Sequence, residues 1–289
     1  MSANDANEDG GESYFASVSD LMVGILFVFL LMLTVFALNF RDAEDEQKVA
    51  RHKYEELLEK NRNLRGLLRE AVERMTQDIE DRQQARQRLL SQLEQMLKKA
   101  GIVVTVDPET GVLRLPEQIL FERGQSTLGA GNNAARLNDA RSVLNKLSES
   151  LASALPCYSS LEPKAGCEVR DLATLEGVLV EGHSDVQGYR GLSLEASRDR
   201  NDLLSVERSL NVFKEIRQKN GLEELKNMGG FPLIAVSAYG DRRPISMGST
   251  EEDLQKNRRI DLRFLLSSRT SKELQRLIDE IRPALEDVE

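Results

Sequence analysis

The chain has 289 residues, 30% of them charged, and a net charge of −9 at pH 7. That size accommodates one membrane segment with one or two soluble regions, and the acidic balance argues against direct nucleic-acid binding. His52 and His183 are the two histidines, and no Walker, Rossmann or zinc-type spacing appears, which argues against a nucleotide or metal centre.

Residues 1–13 are acidic and Gly-rich and predict a disordered tail. They lack the basic start and cleavage site of a secretory signal peptide, so the apolar segment behind them reads as a retained anchor. Residues 14–40 predict a transmembrane helix, with nothing ionisable from Leu21 to Phe40. Counted from Tyr14 the segment spans about 40 Å as a helix, against a hydrocarbon core of ~30 Å. Asp20 is its one acid, placed a little over a turn inside the helix. A carboxylate at the centre of a membrane helix costs roughly 2.5–3.5 kcal/mol, and less near an end. Either Ser19-Asp20 caps the helix among the headgroups, or Asp20 is kept for a function inside the membrane.

Residues 41–100 contain no Pro and one Gly, and are dense in Glu, Lys, Arg, Gln and Leu. Leu57, Leu64, Leu68, Met75 and Ile79 recur at spacings close to a coiled-coil seam, which residues 80–88 interrupt before Leu89, Leu93 and Met96 resume it. The pattern fits a solvated helix or, better, a stalk paired with a second copy of itself, reaching about 90 Å if unbroken.

At Gly101 the periodicity changes. Two alternating runs around Asp107-Pro108-Glu109-Thr110-Gly111 predict a hairpin over 101–116, and 119–121 adds a short strand. A helix is predicted over 131–155, a buried strand over 174–185, an amphipathic helix over 193–219, strands at 232–240 and 258–266, and a closing helix over 271–285. Cys157 and Cys167 close a short loop between the first helix and the buried strand. An oxidising compartment would pair them; in the cytosol they would be buried or free thiols. The whole reads as a single N-terminal transmembrane helix, a long coiled-coil-like stalk and a C-terminal α/β domain (101–289) of one sheet packed on helices.

Three stretches of that domain, VEGHSD (180–185), NDLLSVER (201–208) and KNRRIDLRF (256–264), resemble the signatures of the OmpA-like, or OmpA/MotB C-terminal, peptidoglycan-binding domain. In that family a strand ends in Gly-His-Thr-Asp, an Asn-x-x-Leu-Ser-x-x-Arg run opens a helix, and Asn-Arg-Arg precedes the last strand. Here Gly182, His183, Ser184 and Asp185 stand at the first motif, with Ser for Thr. Asn201, Leu204, Ser205 and Arg208 stand at the second, and Asn257, Arg258 and Arg259 at the third. The resemblance implies a site for a peptidoglycan stem peptide, whose diamino acid carries a carboxylate and an ammonium. Asp185 would take the ammonium and Arg208 the carboxylate, Asn201 and Ser205 would order the loop or donate hydrogen bonds, and Arg258 and Arg259 would complete the binding set. The residues alone leave open an internal Asp185–Arg208 salt bridge with no ligand, and they assign His183 no role. The segment between Asp185 and Asn201, VQGYRGLSLEASRDR, is longer than the usual family loop and lies beside the proposed site.

Such a domain behind one membrane helix and a long stalk resembles the B subunits of flagellar-type stators, the MotB, PomB and TolR class, and among them most closely the B subunit of the Zorya antiphage defence motor. SYFASVSDLMVGILF follows the design of the MotB helix, with Asp20 at the position of the ion-carrying acid. The resemblance implies a homodimer enclosed by a MotA-like multi-span subunit in the bacterial inner membrane. Its N-terminus would be cytoplasmic and its domain periplasmic on peptidoglycan, with Cys157 and Cys167 bonded there. It implies no cofactor beyond a transported ion, taken as a proton, no enzymatic activity and no direct nucleic-acid contact, with defence effectors reached through the A subunit. Charge bias opposes this orientation: the tail lacks Lys and Arg, while Arg41, Lys48 and Arg51 follow the helix. A passive tether between membrane and wall, or an envelope sensor, are the alternatives.

Overall fold

The computed structural model describes residues 9–129, 133–159, 167, 173–268, 276, 278 and 279. They form two compact units, one up to Arg69 and the other within Glu70–Glu280. Helix α1 (Asp9–Lys99) begins in the first and ends in the second.

In the first unit α1 starts at Asp9, so residues 9–13 of the expected tail are helical; residues 1–8 lie outside the described residues. By length and composition the helix contains a stretch able to cross a membrane. Its apolar side chains, among them Phe27, Met32 and Phe36, are uncovered within the single chain, as suits a surface that meets lipid or partner helices. The Thr34 hydroxyl donates to the carbonyls of Leu30 (3.0 Å) and Leu31 (2.8 Å), which satisfies its proton inside the apolar run. Beyond the run, Lys48–Glu44 and Lys60–Glu56 are pairs with the acid four residues earlier, the orientation that favours a helix. Leu57 and Leu68 of the predicted seam stay exposed.

The second unit is a five-stranded sheet with helices. Its strands are β1 (Thr105–Asp107), β2 (Val112–Pro116), β3 (Ala173–His183), β4 (Ile234–Gly240) and β5 (Arg259–Ser268), in spatial order β1-β2-β5-β3-β4. The β3–β4 pair is parallel and the other pairs are antiparallel. The helices are α2 (Ala134–Ala154), the one-turn α3 (Pro156–Ser159), α4 (Leu194–Arg217) and α5 (Glu251–Asn257). Asn133 caps α2, Ser193 caps α4, and Thr250 with Asp253 makes a reciprocal capping box on α5. Cys157 and Cys167 are bonded, with 5.6 Å between their Cα atoms.

Residues of alternate register, such as Leu113, Leu262 and Val180 side by side on β2, β5 and β3, join Leu144 and Leu151 of α2 and Val212 and Ile216 of α4 in one core. The last turns of α1 belong to the same core: Leu89, Leu90, Leu93 and Leu97 are fully buried. Leu89 and Leu93 therefore serve the domain's own packing, not a resumed seam, and the folded unit extends upstream of Gly101.

Residues 119–121 form no strand. A 3₁₀ turn, Glu117–Ile119, follows β2 directly, and Leu120 and Phe121 go into the core. Helix α5 was not anticipated, and of the closing helix over 271–285 only residues 276, 278 and 279 are described, all helical. Between β3 and α4 the approach is so close that a Cβ on Gly182 would overlap the Ser205 carbonyl oxygen, a backbone atom that cannot swing away. Gly182→Ala is expected to destabilise the domain by about 1–3 kcal/mol, the range for overpacking, read as a lower urea midpoint with an unchanged slope.

Candidate functional site

The end of β3, the start of α4 and the turn before β5 converge on a cavity of ≈ 210 Å³. Asp185, Asn201, Arg208 and Arg258, drawn from all three motifs, line it, together with Ser184, Arg123 and the Gln187–Arg190 stretch of the long connection.

Asp185 and Arg208 are not each other's partner. Arg208 is 1% exposed and donates to Glu117 Oε2 (2.7 Å), to the Gln125 carbonyl (2.8 Å) and to the Glu122 carbonyl (3.3 Å), with its guanidinium 5.5 Å from the centre of the Phe121 ring. Asp185 receives Arg258 on Oδ2 and the Gln187 amide on Oδ1 (3.0 Å). Arg258 also pairs with Glu251 and lies 3.6 Å from Glu117. The result is a chain of alternating charges, Arg208–Glu117–Arg258–Asp185, with Glu251 at its outer end. Burial pushes the Glu117 carboxyl above the usual range, against the pull of Arg208 and Arg258, and burial draws the Arg208 guanidinium down against Glu117. Both shifts have the sign expected where desolvation outweighs attraction.

Asn201 shapes the wall. Its side-chain amide donates to the carbonyls of Asp185 (3.1 Å) and Gln187 (3.0 Å), so it orders the start of the long connection. Ser205 does not reach the cavity; fully buried, it donates to the Asp202 carbonyl and accepts the Gly240 amide (3.1 Å), tying α4 to β4. Arg259 also lies elsewhere. Successive residues at the start of β5 point to opposite sides, so Arg258 enters the cavity while Arg259 grips Asp261 (3.0 and 3.1 Å). Asn257 holds the preceding loop, accepting from the amides of Ile245 (2.8 Å) and Ser246 (3.0 Å).

Away from the cavity, His183, Glu181 and Asp261 are buried together with potential ligand atoms within 4.8 Å of one another. Arg263 donates to Glu181 (2.8 Å) and Arg259 to Asp261, so both carboxylates are already compensated by guanidinium groups. His183 stacks on Tyr239, and burial holds its imidazole below the ordinary histidine range. The carboxylates are thus charge-compensated, while Glu181 Oε2 and both ring nitrogens of His183 are buried without a hydrogen-bond partner among the described residues.

Glu117 and Glu251 escaped the sequence reading, whereas the long segment after Asp185 does lie beside the site, its Gln187–Arg190 stretch lining the cavity. Glu117 lies 91 residues from Arg208 in the chain, and no local pattern marks an acid that pairs at that range. Glu251 carried a signal, because Thr250-x-x-Asp253 is a capping box that announces α5.

No family model and no curated protein matches the sequence. Among solved structures the chain is similar to the cell wall anchor of the T6SS from Pseudomonas aeruginosa (17% identity, 62% of this chain and 96% of that one, TM-score 0.38). It is also similar to the periplasmic domain of Helicobacter pylori MotB (18% identity, 58% and 84%, TM-score 0.38) and to a putative MotB-like protein from Desulfovibrio vulgaris (20% identity, 67% and 98%, TM-score 0.42).

Proposed function

We propose that the chain is the B-type subunit of an ion-driven inner-membrane motor, held to peptidoglycan by its C-terminal domain. The observation that carries the anchoring half is the convergence of Asp185, Asn201, Arg208 and Arg258, from three separate motifs, on one polar cavity. Its acids and guanidinium groups suit a ligand bearing both an ammonium and a carboxylate. The motor half rests on Asp20. It lies roughly three turns inside α1, so neither it nor Ser19 caps that helix, and it precedes an unbroken apolar run. An acid placed there faces partner helices and a hydrated path, because lipid is costly for it. Protonation and release of Asp20, coupled to an enclosing multi-span subunit, would turn an ion gradient into rearrangement of that subunit. Each elementary charge crossing 100 mV supplies ~2.3 kcal/mol.

The Cys157–Cys167 bond supports an extracytoplasmic domain; the charge bias around α1 runs the other way, and we place the domain outside on the weight of the disulfide and the wall-binding motifs. A homodimer through the exposed stalk leucines, and a defence role of the Zorya type, are the finer parts of the same proposal.

Sedimentation of the full chain in detergent with isolated sacculi tests the anchor. The chain is expected to pellet with the sacculi, and Asp185→Ala to reduce the bound fraction about tenfold, as for a lost hydrogen bond to a charged group. A wild-type chain that remains in the supernatant refutes the anchoring.

A further inference from the structure

The sheet carries a second cluster of titratable groups on its other face. Gly182 points at α4, so its neighbours Glu181 and His183 point away from that helix, two residues apart on one side of β3. Asp261 stands directly across from Glu181 on β5. Glu181 is 0%, His183 1% and Asp261 1% exposed. His183 Nε2 lies 3.3 Å from Asp261 Oδ2 and 3.9 Å from Glu181 Oε2. Ligand atoms around a tetrahedral zinc, each about 2.0–2.2 Å from the ion, stand about 3.3 Å apart. Small side-chain shifts would close the triangle on such an ion.

Two acids beside a histidine do not make a site by themselves. The second observation is bonding capacity left unused: Glu181 Oε2 and both ring nitrogens of His183 are buried with no hydrogen-bond partner among the described residues. A neutral imidazole carries one donor and one acceptor, and native folds leave few such buried groups unmet. The remaining oxygens are held from outside. Arg263 Nε and the Tyr239 hydroxyl donate to Glu181 Oε1 (2.8 and 3.2 Å), and Arg259 grips Asp261. Outer hydrogen bonds of this kind orient the carboxylates of metal sites. Tyr239 stacks on the imidazole, and the Arg243 guanidinium lies 3.6 Å from the centre of the Tyr239 ring, covering the cluster.

The donor set selects the ion. One imidazole and two carboxylates suit zinc and its neighbours in the transition series, whereas calcium takes six to eight oxygens. Arg259 and Arg263 already offset the acids, so a cation held by charge alone gains little, and one that also bonds to imidazole nitrogen gains more. The Arg263 side chain is 22% exposed, and water screens it from the ion.

We infer that Glu181, His183 and Asp261 form a zinc-class metal site that ties β3 to β5, with water in the fourth position. No spacing in the sequence marks it, because the ligands come from two strands that pair far apart along the chain. Asp185 follows His183 by two residues and Arg258 precedes Arg259, so the ion would stiffen the strand ends that present both cavity residues. The inference is independent of the peptidoglycan reading.

The full chain in detergent, stripped with a chelator, is titrated with zinc chloride against a chromophoric indicator. One ion per chain is expected to bind. His183→Ala and Glu181→Gln should each weaken it at least about tenfold, the lower end for losing even an outer partner. His52→Ala, at an exposed position of α1, should leave binding unchanged. Excess zinc should raise the melting temperature of the wild type by about 5 °C and not that of His183→Ala. Near-ultraviolet circular dichroism checks that each variant is folded. X-ray absorption of the zinc complex of His52→Ala reads the site without touching its ligands: imidazole scattering, nitrogen and oxygen neighbours at about 2.0–2.2 Å, and no sulfur. A wild type that binds no stoichiometric zinc overturns the assignment. So does a folded His183→Ala that binds as tightly as the wild type, or an absorption spectrum without imidazole.

Discussion

Asp20→Asn is expected to abolish ion flux while the complex still assembles. Asn keeps the size and polarity of the side chain, but it neither takes up nor gives back a proton near neutral pH, so the helix packs and the cycle stops. In vesicles holding the chain and the multi-span subunit proposed to enclose it, a pH-sensitive dye should report flux at background for Asp20→Asn, with co-purification of the two proteins unchanged. Asp20→Glu, which titrates on a longer arm, should retain part of the rate. Wild-type flux from the Asn variant would remove the motor and leave a passive tether. In that case only the sacculus-binding variants should have an effect. The position of Asp20 gives the prediction its force: α1 is regular from Asp9 through the apolar run, so the acid caps nothing that its loss would unravel.

Arg208→Ala should be the most damaging single change in the folded domain. It strips Glu117, 4% exposed, of its closest cation and leaves the buried carboxylate with Arg258 alone, 3.6 Å away and shared with Asp185 and Glu251. Breaking a buried pair by removing one member costs about 3–5 kcal/mol, which for a unit of this size lowers the melting temperature by about 10 °C. The pH dependence follows from the raised carboxyl of Glu117. A folded-state value above the unfolded one contributes stability that is present at acid pH and lost as pH rises through the folded value. Removing Arg208 takes away a group that holds that value down, so the deficit should be largest at neutral pH and shrink on acidification. Thermal unfolding of the full chain, followed by near-ultraviolet circular dichroism between pH 7 and pH 5, checks both. A deficit independent of pH would show that Glu117 is not the group left stranded.

The three motifs were legible because each sits on a regular element whose periodicity is strong: β3 ends at His183, α4 carries Asn201 and Arg208 about two turns apart on one face, and β5 opens at Arg259. The pairing among their side chains was not. Asp185 and Arg208 looked like complementary halves of one site, yet an acid on a 3₁₀ turn after β2 claims the arginine and Arg258 claims the aspartate. Strand alternation separates Arg258 from Arg259, which a run of two like residues hides. The seam reading of the stalk failed over its last turns for a similar reason. A leucine repeat that suits a second helix suits a sheet equally well, and Leu89 and Leu93 meet the domain's own core.

That burial has a mechanical consequence. The final turns of α1 are wedged among β-strands and neighbouring helices, without a glycine or proline between Glu70 and Lys99 to act as a swivel. Torque or tension arriving along those turns is delivered to the sheet as shear on close-packed leucines, so the joint behaves as a weld and any slack must be sought upstream of it.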